Sequence, residues 1–240
     1  MDTPGATPLS LAARGWRVTV VDETGSTNAD LLAAAASGAP DRSVLMARHQ
    51  TAGRGRLDRT WDAPPGANLL ASVLLRELPA HLHEVTQRLA LAAAAAAEQV
   101  AGARVELKWP NDLLVGDAKL AGILAQVGMG ADGRPGHVVV GIGMNVQWAP
   151  RGAARLGDDI DPFHLLRTML VAFDDLPPDI HDLYRSRLGT LGRRVKVTLH
   201  DCELVGRAVD VGRDGRLAVL DDCAITHHVD TGDVVHLRPG

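Results

Sequence analysis

Residues 50–61, QTAGRGRLDRTW, set three arginines (Arg54, Arg56, Arg59) around two glycines (Gly53, Gly55) and close on Trp61. Glycine lets a backbone come close to a ligand and turn its N–H groups toward one anion. Arginine adds a charged fork that matches a carboxylate or a phosphate. The stretch therefore reads as an anion-holding loop, with a solvated surface turn as the equal alternative. In KWPND (108–112), Asp112 could hold Mg²⁺ or a polar ligand group and Lys108 could meet a phosphate. The same five residues also make a plain tight turn with Trp109 in the core. Lys119 opens the apolar run KLAGIL (119–124), as a site cation or as a solvated strand-edge lysine. Ser26, Thr27 and Asn28 bring hydroxyls, an amide and backbone donors to a helix start, where simple N-capping competes with ligand binding.

Other chemistries find less support. GRGRLD lacks the third glycine of a dinucleotide fingerprint, GIGMNV (141–146) also departs from it, and no GxxxxGK[ST] occurs. The ten histidines are scattered without HExxH, so they read as surface residues rather than metal ligands. Cys202 and Cys223 are too few for a disulfide framework and fit a reducing compartment. A net charge of −4 argues against a broad nucleic-acid surface, so any basic site must be local. No apolar run reaches the roughly 18 residues of a membrane span, and the first residues lack a secretory pattern; a cytoplasmic location is expected.

Elements must hold these residues together. Apolar residues at 46% can bury a sizeable core. Strands are expected at 17–24, 43–50 and 68–76, with helices at 26–38 and 83–102. The six alanines 92–97 read as a close-packed helix face. Residues 105–115 read as two strand pieces around a turn at Pro110. Residues 119–129 and 137–146 read as a strand pair joined by a polar loop. Helices at 161–176 and 179–188 flank Pro177-Pro178. After Gly192, short strands with turns about every ten residues suggest a small all-β barrel, whose boundary falls near 189–192. The turn DDCAITHHVD (221–230) leaves the barrel's pairing open. The expected organisation is a loose arm at 1–16, a catalytic domain at 17–190 and a small domain at 191–240.

The order of the motifs is more specific than any one of them. STN, QTAGRGRxxRxW, KWPND, KLAGIL and GIGMN, in that order, resemble the biotin protein ligases from about residue 20 to about 148. The likeness is to the short form, without an N-terminal DNA-binding domain. It implies an α+β fold: a mixed sheet flanked by helices, like class II aminoacyl-tRNA synthetases, then an SH3-like barrel. It implies that biotin and ATP form biotinyl-5′-AMP with Mg²⁺, and that the biotinyl group passes to a lysine of the biotin carrier domain of an acyl-CoA carboxylase. DNA and membranes are not implied partners, and a monomer and a homodimer stay open.

By the same resemblance, Ser26, Thr27, Asn28 and Gln50 would contact biotin, with Trp109 walling its pocket. Arg54, Gly55 and Arg56 would grip the biotin carboxylate and the adenylate phosphate. Lys119 would sit beside the reacting groups, and Arg56 and Lys119 would carry catalysis. Gly53, Arg59, Asn111, Asp112 and Asn145 would serve the nucleotide, with Asp112 also on Mg²⁺. Two anions must meet in such a reaction, so positive charge at the junction and a water-excluding loop are what the chemistry needs. One departure stands out: Leu57 and Asp58 replace a basic residue and a glycine, which should leave the loop less positive and more restrained.

Overall fold

The computed structural model describes residues 11–57, 59–130, 132–199, 202–230 and 232–237. The larger part of the chain builds a seven-stranded sheet. Its strands are β1 (Arg17–Thr24), β2 (Ser43–Gln50), β3 (Leu69–Leu75), β4 (Glu106–Lys108), β5 (Asp112–Val115), β6 (Ala118–Met129) and β7 (Pro135–Met144). They lie in the order β1-β2-β3-β7-β6-β5-β4. Only β1 and β2 run parallel. All seven residues of β3 are buried, so both faces of the sheet's centre are covered.

Helix α1 (Thr27–Ala36) lies on one face, where Leu31 and Ala35 meet Leu74 and Val139. Helices α2 (His83–Ala101) and α3 (Pro162–Asp174) pack together on the other, over Val73, Val138, Val140 and Ile142. Ala92, Ala93, Ala94, Ala96 and Ala97 are fully buried, so the alanine run is the small-residue face that lets α2 lie close to its neighbours. The Asp161 carboxylate caps α3 by accepting from the Phe163 and His164 N–H groups. A short helix α4 (His181–Arg187) follows. Among the described residues no helix is long and apolar enough to cross a membrane.

The segment 1–16 reads from sequence as a loose arm. Residues 1–10 lie outside the described residues, but the end of the segment is tied down. Trp16 is 2% exposed, donates its indole N–H to Asp174 at 2.9 Å and lies under the Arg42 guanidinium. An indole buried in this way anchors the chain before the first strand.

The small domain holds β8 (Arg194–Thr198), β9 (Glu203–Val211), β10 (Leu217–Asp221), β11 (Thr226–Val229) and β12 (Asp233–His236). Their antiparallel order is β11-β10-β9-β8-β12, and among the described residues no ladder joins β11 to β12. The turn that sequence left unresolved makes a tight hairpin. The Asp221 carboxylate accepts from Cys223 and Ile225 N–H, Ala224 takes φ 61°, and THHV continues as β11.

Thr190 is one of the links between the two parts of the chain. Thr190, fully buried, accepts the Trp109 backbone N–H at 3.0 Å and lies 3.1 Å from Nε2 of His236. Burial, with Arg193 and Lys108 nearby, pushes the His236 imidazole down to about 4. Its ordinary value is about 6.5, so between pH 6.5 and 4 the unfolded chain binds a proton that the folded chain refuses. His236 should therefore cost the fold about 1–2 kcal/mol as pH falls through that window, after allowance for its partial exposure. Denaturant unfolding of the wild type and of His236→Asn at pH 7 and pH 5 checks this. The variant should lose about 1 kcal/mol less between the two, and parallel losses would rule the effect out.

Tyr184 offers a second stability test. It is 2% exposed, and its hydroxyl has no hydrogen-bond partner among the described residues. Burial alone raises its ionisation well above the usual phenol value. Tyr184→Phe removes a hydroxyl that bonds to none of the described residues and faces a pocket, so stability should change by less than about 1 kcal/mol. A loss of more than about 1 kcal/mol in the same assay would mean that the hydroxyl is bonded.

Candidate active site

A cavity of about 340 Å³ opens on the α1 face of the sheet, a volume suited to a small-molecule ligand. Its floor explains why it exists. Gly122 on β6 pairs with Gly143 on β7, and Leu124 pairs with Gly141, so three of these four positions carry no side chain. A Cβ on Gly143 would lie 2.4 Å from the Trp61 ring, and one on Gly141 would lie 2.1 Å from Asn28 Oδ1. The glycines of GIGMN are thus not a phosphate loop. They clear one face of a strand so that Trp61 and Asn28 can lie on it.

One end of the cavity is polar and uncharged. Ser26 stands at the N-cap position of α1 but makes no side-chain cap bond, so the hydroxyl that reads as a cap is left to the cavity. Thr27 donates its backbone N–H to Gln50 Oε1 at 2.8 Å, and its hydroxyl lies 3.0 Å from the same oxygen. Thr27 and Asn28 are both buried, and both contact Ser72 of β3.

The other end is cationic. The loop after β2 folds back on itself through Gly55 N–H to Arg59 O and Trp61 N–H to Gly53 O. Arg56 donates to Asn111 Oδ1 at 3.1 Å and to Gly232 O at 3.3 Å. Burial lowers its guanidinium below the usual arginine value, opposed by Asp112 and Asp233. Arg59 pairs with Asp233 at the start of β12; their hydrogen bond raises the arginine and lowers the aspartate. The Arg54 side chain has no hydrogen bond or ion pair among the described residues, which leaves it available to a ligand. Lys119 Nζ lies 2.6 Å from Asp112 Oδ1, and Lys108 Nζ lies 3.9 Å from Oδ2. A register shift in the β5–β6 ladder between Leu113 and Leu114 sets Lys119 opposite Leu114 while Asp112 faces Gly122. Asn145 is 2% exposed and donates to Ala154 O at 3.0 Å, tying the loop after β7 down beside the site.

Most residues singled out in the sequence meet here: Ser26, Thr27, Asn28, Gln50, Arg54, Gly55, Arg56, Arg59, Asn111, Asp112, Lys119 and Asn145 all line the cavity. Two do not. Gly53 lies outside the lining; a Cβ there would come 2.4 Å from the Trp61 carbonyl oxygen, so the glycine serves the fold of the loop. Trp109 is buried, with its indole N–H donating to Gly215 O at 2.9 Å, and it packs beneath the small domain. The tryptophan in the cavity wall is Trp61, whose indole N–H is buried against Gly143 with no partner among the described residues. Sequence reasoning gave Trp61 no role, although it closes the arginine motif. It gave none to Asp233, which no local pattern marks. Leu57 takes φ 54° and is 67% exposed, and Asp58 lies outside the described residues.

No three His, Cys, Asp or Glu side chains among the described residues gather as a metal site. Asp112 offers a carboxylate on the cavity wall, the kind of donor that Mg²⁺ takes together with a substrate's phosphates.

The model of the biotin/lipoate A/B protein ligase family matches residues 20–145, and that of the biotin protein ligase C-terminal domain matches residues 190–237. The chain is 41% identical to the biotin–[acetyl-CoA-carboxylase] ligase of Mycobacterium tuberculosis, over 95% of this chain and 92% of that one. It is 29% identical to the bifunctional ligase/repressor BirA of Escherichia coli, over 85% of this chain and 68% of that one. Among solved structures, the biotin protein ligase of Aquifex aeolicus in complex with biotin and ATP shares the fold. The TM-score is 0.77 at 24% identity, over 93% of this chain and 99% of that one.

Proposed function

The chain belongs to the biotin/lipoate A/B protein ligase family, and we propose from that premise that it activates biotin with ATP and transfers it to a carboxylase. The product of the first step is biotinyl-5′-AMP, and the acceptor is a lysine of the biotin carrier domain. The observation that carries this is the polarity of one cavity, with an uncharged polar end at Ser26, Thr27, Asn28 and Gln50 and a cationic end at Arg54, Arg56 and Lys119. Biotin has the same polarity, with a neutral ureido ring at one end and a carboxylate at the other.

In the first step a carboxylate oxygen of biotin attacks the α-phosphorus of ATP. The bond to the β-phosphate breaks and pyrophosphate leaves. Arg54, Arg56 and Lys119 hold the two anions together and stabilise the charge that grows on the phosphate oxygens. Arg59 and Asn111 serve the nucleotide side, and Asp112 would hold Mg²⁺, which neutralises phosphate charge. In the second step a neutral lysine amine attacks the acyl carbon, the bond to AMP breaks, and AMP leaves. Meanwhile the loop at 51–61 shields the mixed anhydride from water. Its contact with the small domain through Asp233 and Gly232 gives that domain a part in holding the loop over the site.

The test is a mass measurement. The protein is mixed with biotin, ATP, Mg²⁺ and a purified carrier domain, and the carrier is weighed. A gain of one biotinyl group that needs ATP is the expected result. Labelling by lipoate instead of biotin would place the chain on the lipoate side of its family, and no labelled carrier and no adenylate would overturn the reading.

A further inference from the structure

We propose that Gln126 and Ser72 are positioning residues that hold the Asn28 amide in the orientation Leu124 O selects, and so keep the hydrogen-bonding polarity at the uncharged end of the cavity. The inference rests on the reading of that end as the place where the biotin ureido ring binds.

An asparagine amide can present its oxygen or its nitrogen after a half-turn, so its neighbours decide what a ligand meets. Leu124 O, an acceptor only, receives Asn28 Nδ2 at 3.1 Å, which settles the direction. Gln126 Oε1 receives the same nitrogen at 2.8 Å, so both amide protons are engaged. Ser72 Oγ lies 2.6 Å from Asn28 Oδ1, and the hydroxyl must donate there because an amide oxygen carries no proton. Ser72 is fully buried within the apolar strand LLASVLL, where a hydroxyl survives only if bonded. Since its single proton goes to Asn28, its oxygen can accept from Thr27 Oγ1, 2.7 Å away. The Thr27 proton thus goes to Ser72 or to Gln50 Oε1, inside the network in both cases.

What remains for a ligand follows from that count. Asn28 and Thr27 keep oxygen lone pairs and have no proton to give. Gln50, whose Oε1 accepts the Thr27 backbone N–H, keeps its Nε2 donors. Two acceptors beside a donor complement two N–H groups beside a carbonyl, which is a cyclic urea. Gln126 stands across from Val139, on the face that bears Leu124 and Gly141, but is itself exposed. It can be changed without opening the core. Losing it frees one Asn28 proton and leaves the amide held by Leu124 O and Ser72 alone.

The test measures biotin binding by calorimetry and steady-state adenylation for Gln126→Met, Gln126→Glu and Ser72→Ala. Methionine keeps the length and removes the acceptor; glutamate keeps an acceptor oxygen. Gln126→Met should weaken biotin binding and raise the KM for biotin about tenfold, the effect of one lost hydrogen bond, with kcat within about twofold. Gln126→Glu should bind biotin within about threefold of wild type, and Ser72→Ala should follow Gln126→Met. A merely structural role would lower kcat and the melting temperature together and would not be rescued by glutamate. Unchanged affinity in Gln126→Met, or no rescue by glutamate, overturns the proposal while leaving the ligase reading intact. Failure of the wild type to bind biotin overturns both.

Discussion

Lys119→Ala is expected to slow biotinyl-adenylate formation by about 10²–10³-fold, the usual cost of deleting one charge-stabilising group from a transition state. Lys119 is the cation that the β6 register shift brings within 2.6 Å of Asp112, at the end of the cavity where carboxylate and phosphate must meet. Without it Asp112 keeps only Lys108, at 3.9 Å, and repels the incoming anions. Biotin binding should fall far less than turnover, since the ureido end of the cavity is untouched. Isotope exchange between pyrophosphate and ATP in the presence of biotin reads the first step directly. A loss below tenfold would remove Lys119 from the reacting centre. An equal loss in biotin affinity and in rate would make it a binding group rather than a catalytic one.

Gly143→Ala should abolish most biotin binding, by about 100-fold or more, while the protein stays folded. The added Cβ would lie 2.4 Å from Cε2 and 2.6 Å from Nε1 of Trp61, well inside contact distance. An indole is rigid, and its nearest relief is to move into the cavity it now walls. Gly143→Ala combined with Trp61→Ala removes the clash, so the double variant should bind biotin better than Gly143→Ala alone, a non-additive result that separates blocking from general damage. Calorimetric titration with biotin, alongside circular dichroism to verify the fold, decides it. Wild-type affinity in Gly143→Ala would mean that biotin does not occupy this floor.

Much of the molecule is legible in the chain itself. Strands such as RVTVVDET and NLLASVLLR, the alanine-rich helix and the Asp161-Pro162 helix start all follow from local patterns, and the structure builds each of them. β11 escaped because a polar stretch with two histidines shows no alternation, and its strand character comes from pairing with β10. The cations of the site were visible because arginine and lysine beside glycine and turn residues form a local signal.

Which side chain faces which cavity is a different matter. Trp109 and Trp61 both stand in motifs of charged and turn-forming residues, and the structure sets Trp61, not Trp109, in the wall of the cavity. A tryptophan has the same apolar body in a core and in a pocket wall, so its position depends on what the distant chain packs against it. For Trp109 that is Gly215, more than a hundred residues away. Asp233, Ser72 and Gln126 are ordinary residues in ordinary strands, and they matter only because the fold brings them to Arg59 and Asn28. Residue types and their spacing by themselves marked a positively charged, glycine-bearing loop suited to an anion. Tertiary structure alone decided how the neutral end is wired, because a hydrogen-bond network joins residues by distance in space and leaves no period in the sequence.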